Sequence, residues 1–199
     1  MGPVPRGQSG NRAIGPRSPD RDGYLTFPDW LSRIGGAYIG GVKEWQTLLF
    51  LCTGNYYRSR YAEAWFNHHA QKERLHWRAE SRGFRPHLED SPLSHHAADR
   101  LEMHSIPRHL TRNHPLRVVA DDLAEASLVV ALYETEHRPM VARRFPMWTD
   151  RIRYWNVPDI DEVPPYAALP MIEREVDALV QHLSRGHALG ARQGVTVEF

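Results

Sequence analysis

The single cysteine of the chain is separated from an arginine by five residues, in the segment Cys52-Thr-Gly-Asn-Tyr-Tyr-Arg58, and Ser59 comes next. A thiolate is a strong nucleophile, and an arginine side chain presents parallel N–H donors to the oxygens of a phosphoryl group. The backbone N–H groups of residues 53 to 58 can turn inward around a tetrahedral oxyanion. The pattern therefore favours attack on phosphorus, although a C-x5-R spacing alone is also compatible with a buried structural cysteine.

The segments on either side of this loop have the patterns of a strand and a helix. Residues 47–52 form a continuous apolar run, which is typical of a strand buried on both faces, and residues 58 to about 72 have helical periodicity. The helix N-terminus would favour a bound anion and a thiolate. Gly54 and Asn55 are the loop residues best suited to left-handed backbone angles. The predicted phosphate-binding residues are Thr53, Gly54, Asn55, Tyr56, Tyr57, Arg58 and Ser59.

Strand-like and helix-like segments alternate along the rest of the chain. Further strands are predicted at residues 76–81, 127–133 and 152–157. Further helices are predicted from about residue 92, at residues 134–145 and at residues 170–185, before Gly186. This order predicts an α/β fold, a three-layer αβα sandwich with a four-stranded, mainly parallel sheet and right-handed crossovers.

Glycine and proline are concentrated near the N-terminus. Nine of the 14 glycines and five of the 15 prolines precede Val42, so residues 1–44 are predicted to be a partly flexible extension. A folded domain is expected over residues 45–186, with a C-terminal tail at residues 187–199.

The composition argues against several classes of function. The formal net charge is +1, so there is no basic surplus that would indicate nucleic-acid binding, and no apolar run is long enough to span a membrane. One cysteine excludes an intrachain disulfide, and the histidine spacings fit no zinc signature. We therefore expect no metal or cofactor, no nucleic-acid or membrane partner, and a cytoplasmic location.

The segment LLFLCTGNYYRSRYAEAWF resembles the low molecular weight protein tyrosine phosphatase family, whose signature runs C-x-G-N-x-x-R-S before a helix containing A-E-A. The resemblance follows the element order over roughly residues 46–185, and its specific part is residues 52–66. It implies the family's four-stranded parallel sheet between helices. The matching residues are Cys52, Gly54, Asn55, Arg58, Ser59, Ala62, Glu63 and Ala64.

The resemblance also implies an aspartate general acid on a late loop, normally followed by proline. The segment Asn156-Val-Pro-Asp-Ile-Asp occupies that place, so Asp159 is the expected acid and Asp161 the reserve. Ile160 stands where the family has the proline. Tyr56 and Tyr57 stand where it commonly has a small apolar residue and often a second cysteine.

Together these patterns predict a phosphomonoester hydrolase, most simply a protein-tyrosine phosphatase acting on phosphotyrosine in protein or on small aryl phosphates. Cys52 would be the nucleophile, Arg58 would hold the phosphoryl oxygens, and Asp159 would protonate the leaving oxygen. Two alternatives stay open. One is arsenate reductase, although its thioredoxin-coupled form needs more cysteines, and the other is a non-catalytic phosphate- or phosphopeptide-binding protein.

Overall fold

The structure is a computed structural model of the 199-residue chain, and it describes residues 38–39, 42–43, 45–86 and 93–193. Most of the predicted N-terminal extension and the end of the predicted C-terminal tail lie outside the described residues. Within residues 1–44, strand β1 (Tyr38–Ile39) pairs antiparallel with β2 (Val42–Lys43). The boundaries proposed for the extension and the tail stay predictions.

A four-stranded parallel sheet forms the centre of the domain. Its strands are β3 (Gln46–Cys52), β4 (Trp77–Gly83), β5 (Leu128–Ala131) and β6 (Arg153–Tyr154). Their order is β4-β3-β5-β6, and every neighbouring pair is parallel. The predicted α/β fold is therefore confirmed, and β3, which carries the cysteine, is one of the two inner strands.

Five α-helices accompany the sheet in the described part of the chain. They are α1 (Arg58–Lys72), α2 (His95–Met103), α3 (Ala120–Glu125), α4 (Glu134–Arg144) and α5 (Pro165–Gln193), with 3₁₀ turns at Arg108–Leu110 and Pro146–Trp148. Helix α3 has no counterpart among the predicted elements. No helix in the described part of the chain is both long and apolar enough to cross a membrane.

The prediction for the last helix was wrong at both ends. Helix α5 begins at Pro165 rather than at Pro170. The N–H groups of the first helical residues have no intrahelical partner, so a proline there costs no hydrogen bond. Helix α5 also continues through Gly186 to Gln193 instead of ending at Arg185. A glycine inside a helix costs only about 1 kcal/mol, so it need not end a helix that packs against α1 along its apolar stripe.

Strand β3 packs against helices on both of its faces because its side chains alternate in direction. Leu49 and Leu51 belong to the core that includes Leu123 of α3 and Val141 of α4. Phe50 lies on the opposite face, where its ring meets Phe66 of α1 edge-on at a centroid distance of 6.3 Å. The sheet is therefore the middle of three layers, and the cysteine that ends β3 lies at its carboxyl edge.

Candidate functional site

Cys52 is the last residue of β3 and is nearly inaccessible, with 2 % of its surface exposed. Its Sγ lies 2.9 Å from the hydroxyl of Ser59 and accepts the backbone N–H of Asn55 at 3.3 Å. Both partners belong to the loop and helix start that follow the strand. The chain therefore folds back on the sulfur with polar donors rather than burying it among apolar side chains.

Asn55 organises this loop through its backbone and its side chain. Its φ of +49° lies in the left-handed region, as predicted, whereas Gly54 does not adopt a left-handed φ, so that part of the prediction was wrong. The side-chain Nδ2 of Asn55 donates to the hydroxyls of Ser59 at 3.0 Å and Ser81 at 2.9 Å. Because the Ser59 oxygen accepts from Asn55, its own proton is free to point at the Cys52 sulfur.

The hydrogen-bond chain continues from Ser81 to a buried carboxylate. Ser81 and Thr111 each donate a hydroxyl to Oε2 of Glu63 at 2.7 Å. Glu63 is only 4 % exposed, and burial raises its pKa to about 7 against the opposing effect of these two hydrogen bonds. A buried group that holds a proton near neutral pH thus lies four hydrogen bonds from the sulfur, through Ser81, Asn55 and Ser59.

Arg58 is the first residue of α1, and its guanidinium is 1 % exposed. Nη1 donates to the carbonyl oxygen of Val157 at 3.3 Å, and Nη2 lies 2.9 Å from Oε2 of Glu136 and 2.5 Å from Oδ2 of Asp159. Burial opposes the charge of Arg58, but the negative groups of Cys52, Asp159 and Glu136 raise its pKa above the ordinary value. The side chain is therefore a fixed cation beside the sulfur.

Glu136, in the first turn of α4, was not among the predicted site residues. Its Oε1 accepts the hydroxyl of Thr53, and its Oε2 meets Arg58 and lies 3.2 Å from Nε2 of His137. Burial acts against ionisation, yet the contacts with His137, Thr53 and Arg58 lower the Glu136 pKa to about 2. Glu136 is therefore an anion over the whole physiological range.

His137 is completely buried behind Glu136. Its Nδ1 accepts the backbone N–H of Tyr133 at 3.0 Å, so in the neutral ring the proton sits on Nε2 and faces Glu136. Burial lowers the pKa of His137, which favours that neutral form. One signal pointed to these two residues: α4 begins directly after β5, the strand beside β3, so its first turn must lie near the cysteine.

The two candidate aspartates occupy different environments on the loop after β6. Asp159 is bound to Arg58, and its other oxygen accepts the N–H of Ile160 at 2.8 Å, with 37 % of the side chain exposed. Asp161 is exposed and does not line the cavity beside Cys52. Only Asp159 is therefore positioned to touch a group bound at the sulfur.

A cavity of about 390 Å³ opens over Cys52 and Arg58. Tyr56, which is 39 % exposed, forms part of its wall. Tyr57 also lines it but is buried, and burial raises the pKa of its phenol to about 12. The other lining residues are Gly54, Ser94, His95, His96, Pro115, Asp159 and Ile160. The predicted loop residues 52–59 are thus gathered at one site.

A larger cavity lies elsewhere in the domain. It measures about 870 Å³, follows the outer strand β4, and is lined by residues that include Trp45, Glu63 and Arg112. It does not reach Cys52. Within the described ranges there is also no group of three or more His, Cys, Asp or Glu side chains that could hold a metal ion.

A family model and a known protein similar to this chain both point to phosphatases. Residues 47–188 match the model of the family described as low molecular weight phosphotyrosine protein phosphatase. A protein-arginine-phosphatase of Bacillus subtilis (strain 168) is 29 % identical over 107 residues, which are 53 % of this chain and 67 % of that protein.

Solved structures agree with this assignment. A low molecular weight protein tyrosine phosphatase from T. tengcongensis is 26 % identical, with a TM-score of 0.59 over 71 % of this chain and 99 % of that one. The YwlE arginine phosphatase from Geobacillus stearothermophilus shares the fold, with 21 % identity and a TM-score of 0.56 over 77 % of this chain and 99 % of that one. A matched region that spans the sheet and the whole cysteine loop shows that this chain belongs to the low molecular weight phosphotyrosine protein phosphatase family and is a hydrolase.

Proposed function

We propose that this phosphatase hydrolyses phosphotyrosine in proteins, with Cys52 as the nucleophile, Arg58 as the phosphoryl-binding cation and Asp159 as the general acid. The observation that carries the proposal is the pair of polar contacts on the Cys52 sulfur, with the Ser59 hydroxyl at 2.9 Å and the Asn55 backbone N–H at 3.3 Å. These contacts and the adjacent guanidinium are the polar, cationic surroundings in which nucleophilic cysteines lie. A structural cysteine has no need of them.

The first chemical step transfers the phosphoryl group to sulfur. Cys52 Sγ attacks phosphorus, the phosphorus–oxygen bond to the phenol breaks, and Asp159 gives its proton to the departing oxygen. Arg58 and the N–H groups of residues 53–59 hold the equatorial oxygens, where charge redistributes. A phosphoryl group on Arg58 Nη2 would displace the Asp159 carboxylate that lies there at 2.5 Å, leaving that carboxyl free to carry a proton.

The second step restores the enzyme. A water molecule attacks the phosphorus of the thiophosphate, Asp159 accepts the water's proton, and the phosphorus–sulfur bond breaks to give phosphate and the Cys52 thiolate. The mechanism needs a reduced thiol, which fits a reducing compartment, so we also propose a cytoplasmic location.

The character of the cavity supports an aryl substrate. Tyr56, Pro115 and Ile160 give it apolar walls next to Cys52, and against such walls a phenyl ring can stack. Among the described residues that line it, Asp159 is the only carboxylate. A cationic guanidinium side chain would find fewer acceptors there than a phenyl ring would find apolar contacts.

A second candidate is hydrolysis of phosphoarginine in proteins. The observation that favours it is the 29 % identity with the Bacillus subtilis protein-arginine-phosphatase over 107 residues. The same nucleophile and cation would serve, because only the leaving group changes from a phenol oxygen to a guanidinium nitrogen.

Kinetics on two matched peptides test both candidates. One peptide carries phosphotyrosine and the other phosphoarginine at the same position, and kcat/KM is measured for wild type and for Cys52→Ser. We expect preference for phosphotyrosine, no turnover by Cys52→Ser, and retained vanadate binding in that variant, because the loop donors remain.

The other outcomes decide against the proposal. Preference for phosphoarginine would replace the substrate class, and full activity of Cys52→Ser would exclude the covalent mechanism. Reduction of arsenate without turnover of either peptide would indicate the reductase alternative. Tight phosphopeptide binding without turnover would indicate a binding protein.

A further inference from the structure

A third cavity, separate from the one over Cys52 and from the larger one along β4, has several positively charged side chains in its wall. It measures about 330 Å³ and is lined by Arg85, Arg117, Arg143 and Arg144, with Glu136 in its wall. The four arginines come from the loop after β4, the segment before α3, and the end of α4. The fold thus brings together cations that are distant in sequence.

Two of these arginines share one neutral acceptor. Arg117 Nη1 donates to the carbonyl oxygen of Phe84 at 3.2 Å, and Arg144 Nη1 donates to the same oxygen at 3.1 Å. Two guanidinium groups held on one carbonyl repel each other, and an anion bound between them would relieve that repulsion. None of the four arginines forms an ion pair with a carboxylate within residues 45–86 and 93–185.

Glu136 does not neutralise the positive charge of this cavity, because its carboxylate already forms an ion pair with Arg58. Its carboxylate lies 2.9 Å from Arg58 Nη2 and accepts the hydroxyl of Thr53. The same contacts show how close the cavity is to the catalytic loop, since one side chain touches both. The arginine cluster, Arg85, Arg117, Arg143 and Arg144, therefore retains a net positive charge next to the proposed active site.

We propose that the arginine cluster binds carboxylate or phosphoryl groups of the substrate polypeptide, a few residues along the chain from the residue that is dephosphorylated. The proposal rests on the function proposed above. Arginine guanidinium groups suit such oxyanions because they can bind two oxygens at once. An extended peptide advances about 3.3 Å per residue, so acidic side chains at successive flanking positions lie at increasing distances from the residue that is dephosphorylated.

Three phosphotyrosine peptides test this subsite. They differ only in the flanking positions, which carry glutamine, glutamate or phosphoserine. For wild type we expect kcat/KM to be about threefold to tenfold higher with either acidic flank at low salt. The preference should shrink toward unity near 1 M salt, where the Debye length is about 3 Å.

Variants assign the preference to the arginine cluster. The double variant Arg117→Ala/Arg143→Ala, in which both replaced side chains belong to exposed residues, should lose most of the preference for acidic flanks. Arg174→Ala is the matched control, because it removes an exposed arginine of α5 outside the cavity and should keep the wild-type ratio. An equal ratio in wild type, the double variant and the control would overturn the proposal.

The test separates this inference from the proposed function. Turnover of the glutamine-flanked peptide by wild type reports on tyrosine phosphatase activity alone. If no peptide is hydrolysed, the proposed function fails, and titration calorimetry with the three peptides still measures whether acidic flanks bind more tightly to wild type than to the double variant. Equal affinities there would overturn the subsite independently.

Discussion

Arg58 and Glu136 form an ion pair, with Nη2 2.9 Å from Oε2, between residues 78 positions apart in the chain. Glu136 holds the guanidinium from one side while Asp159 meets the same nitrogen at 2.5 Å. Asp159 belongs to an exposed loop, whereas Glu136 belongs to the first turn of a helix and is itself held by Thr53. We conclude that Glu136 is the positioning residue that fixes the orientation of the Arg58 guanidinium.

Replacing Glu136 by glutamine should therefore reduce catalysis without removing any reacting group. A hydrogen bond to a charged partner contributes about 1.5–3 kcal/mol, so we expect kcat/KM on a small aryl phosphate to fall about tenfold to a hundredfold. The control is Glu134→Gln on the same helix, whose carboxylate is exposed and paired with Arg138 at 2.7 Å. Equal kcat/KM for Glu136→Gln and the control would show that Arg58 does not depend on Glu136.

The general acid should reveal itself through the leaving group. Asp159→Asn should slow hydrolysis of phosphotyrosine, whose phenol leaves poorly, far more than hydrolysis of an activated nitrophenyl phosphate, with a difference of about 10²-fold or more. Asp161→Asn is the matched control, because that carboxylate is exposed on the same loop. Similar losses on both substrates would argue against the acid role of Asp159, and a selective loss in Asp161→Asn would transfer the role to Asp161.

Gly83 should tolerate a methyl group much less well than Gly54. A Cβ at Gly83 would lie 2.9 Å from the Asn55 nitrogen and 2.9 Å from the Thr53 carbonyl oxygen, whereas at Gly54 the nearest contact is an ordinary 3.8 Å. Overpacking of this kind costs about 1–3 kcal/mol, so Gly83→Ala should lower the free energy of unfolding by that amount. Denaturant unfolding of both alanine variants measures the difference. Equal stabilities would mean that the strand end and the loop move apart at little cost.

The protonation of Glu63 should make stability depend on pH in a definite direction. Its pKa is raised from 4.5 to about 7, so between these values the folded protein keeps a proton that the unfolded chain has lost. This contribution to stability is full below pH 4.5, declines as pH rises, and is lost above pH 7. A shift of this size corresponds to about 3 kcal/mol.

Comparison with Glu63→Gln isolates that contribution. His137 titrates in the opposite sense, because its lowered pKa removes stability as pH falls, so the wild-type curve alone would mix the two. The unfolding free energy of Glu63→Gln relative to wild type should therefore increase between pH 5 and pH 8. A difference that stays constant with pH would show that Glu63 is ionised in the folded state throughout this range.

The sequence alone determined the local parts of this protein. A short continuous apolar run before Cys52 is typical of a strand covered on both faces, and helical periodicity after Arg58 indicates the helix that follows, so strand, loop and helix were predictable from neighbouring residues. The alternation of such segments also predicted the parallel sheet that the structure confirms. Short-range sterics and hydrophobic periodicity act over a few residues, and that is the range a sequence pattern can report.

Only the tertiary structure decided which distant residues meet the loop. Glu136, His137 and Ser81 reach it because β5 and β4 lie on either side of β3, an order set by packing rather than by any local pattern. The same packing brings the backbone of Thr53 and Asn55 so close to Gly83 that a side chain would not fit there, whereas Gly54 has no such close neighbour. Helix α5 also continues past Gly186, because one glycine costs a helix only about 1 kcal/mol. Contacts between residues far apart in the chain depend on the relative positions of whole elements, which no single segment encodes.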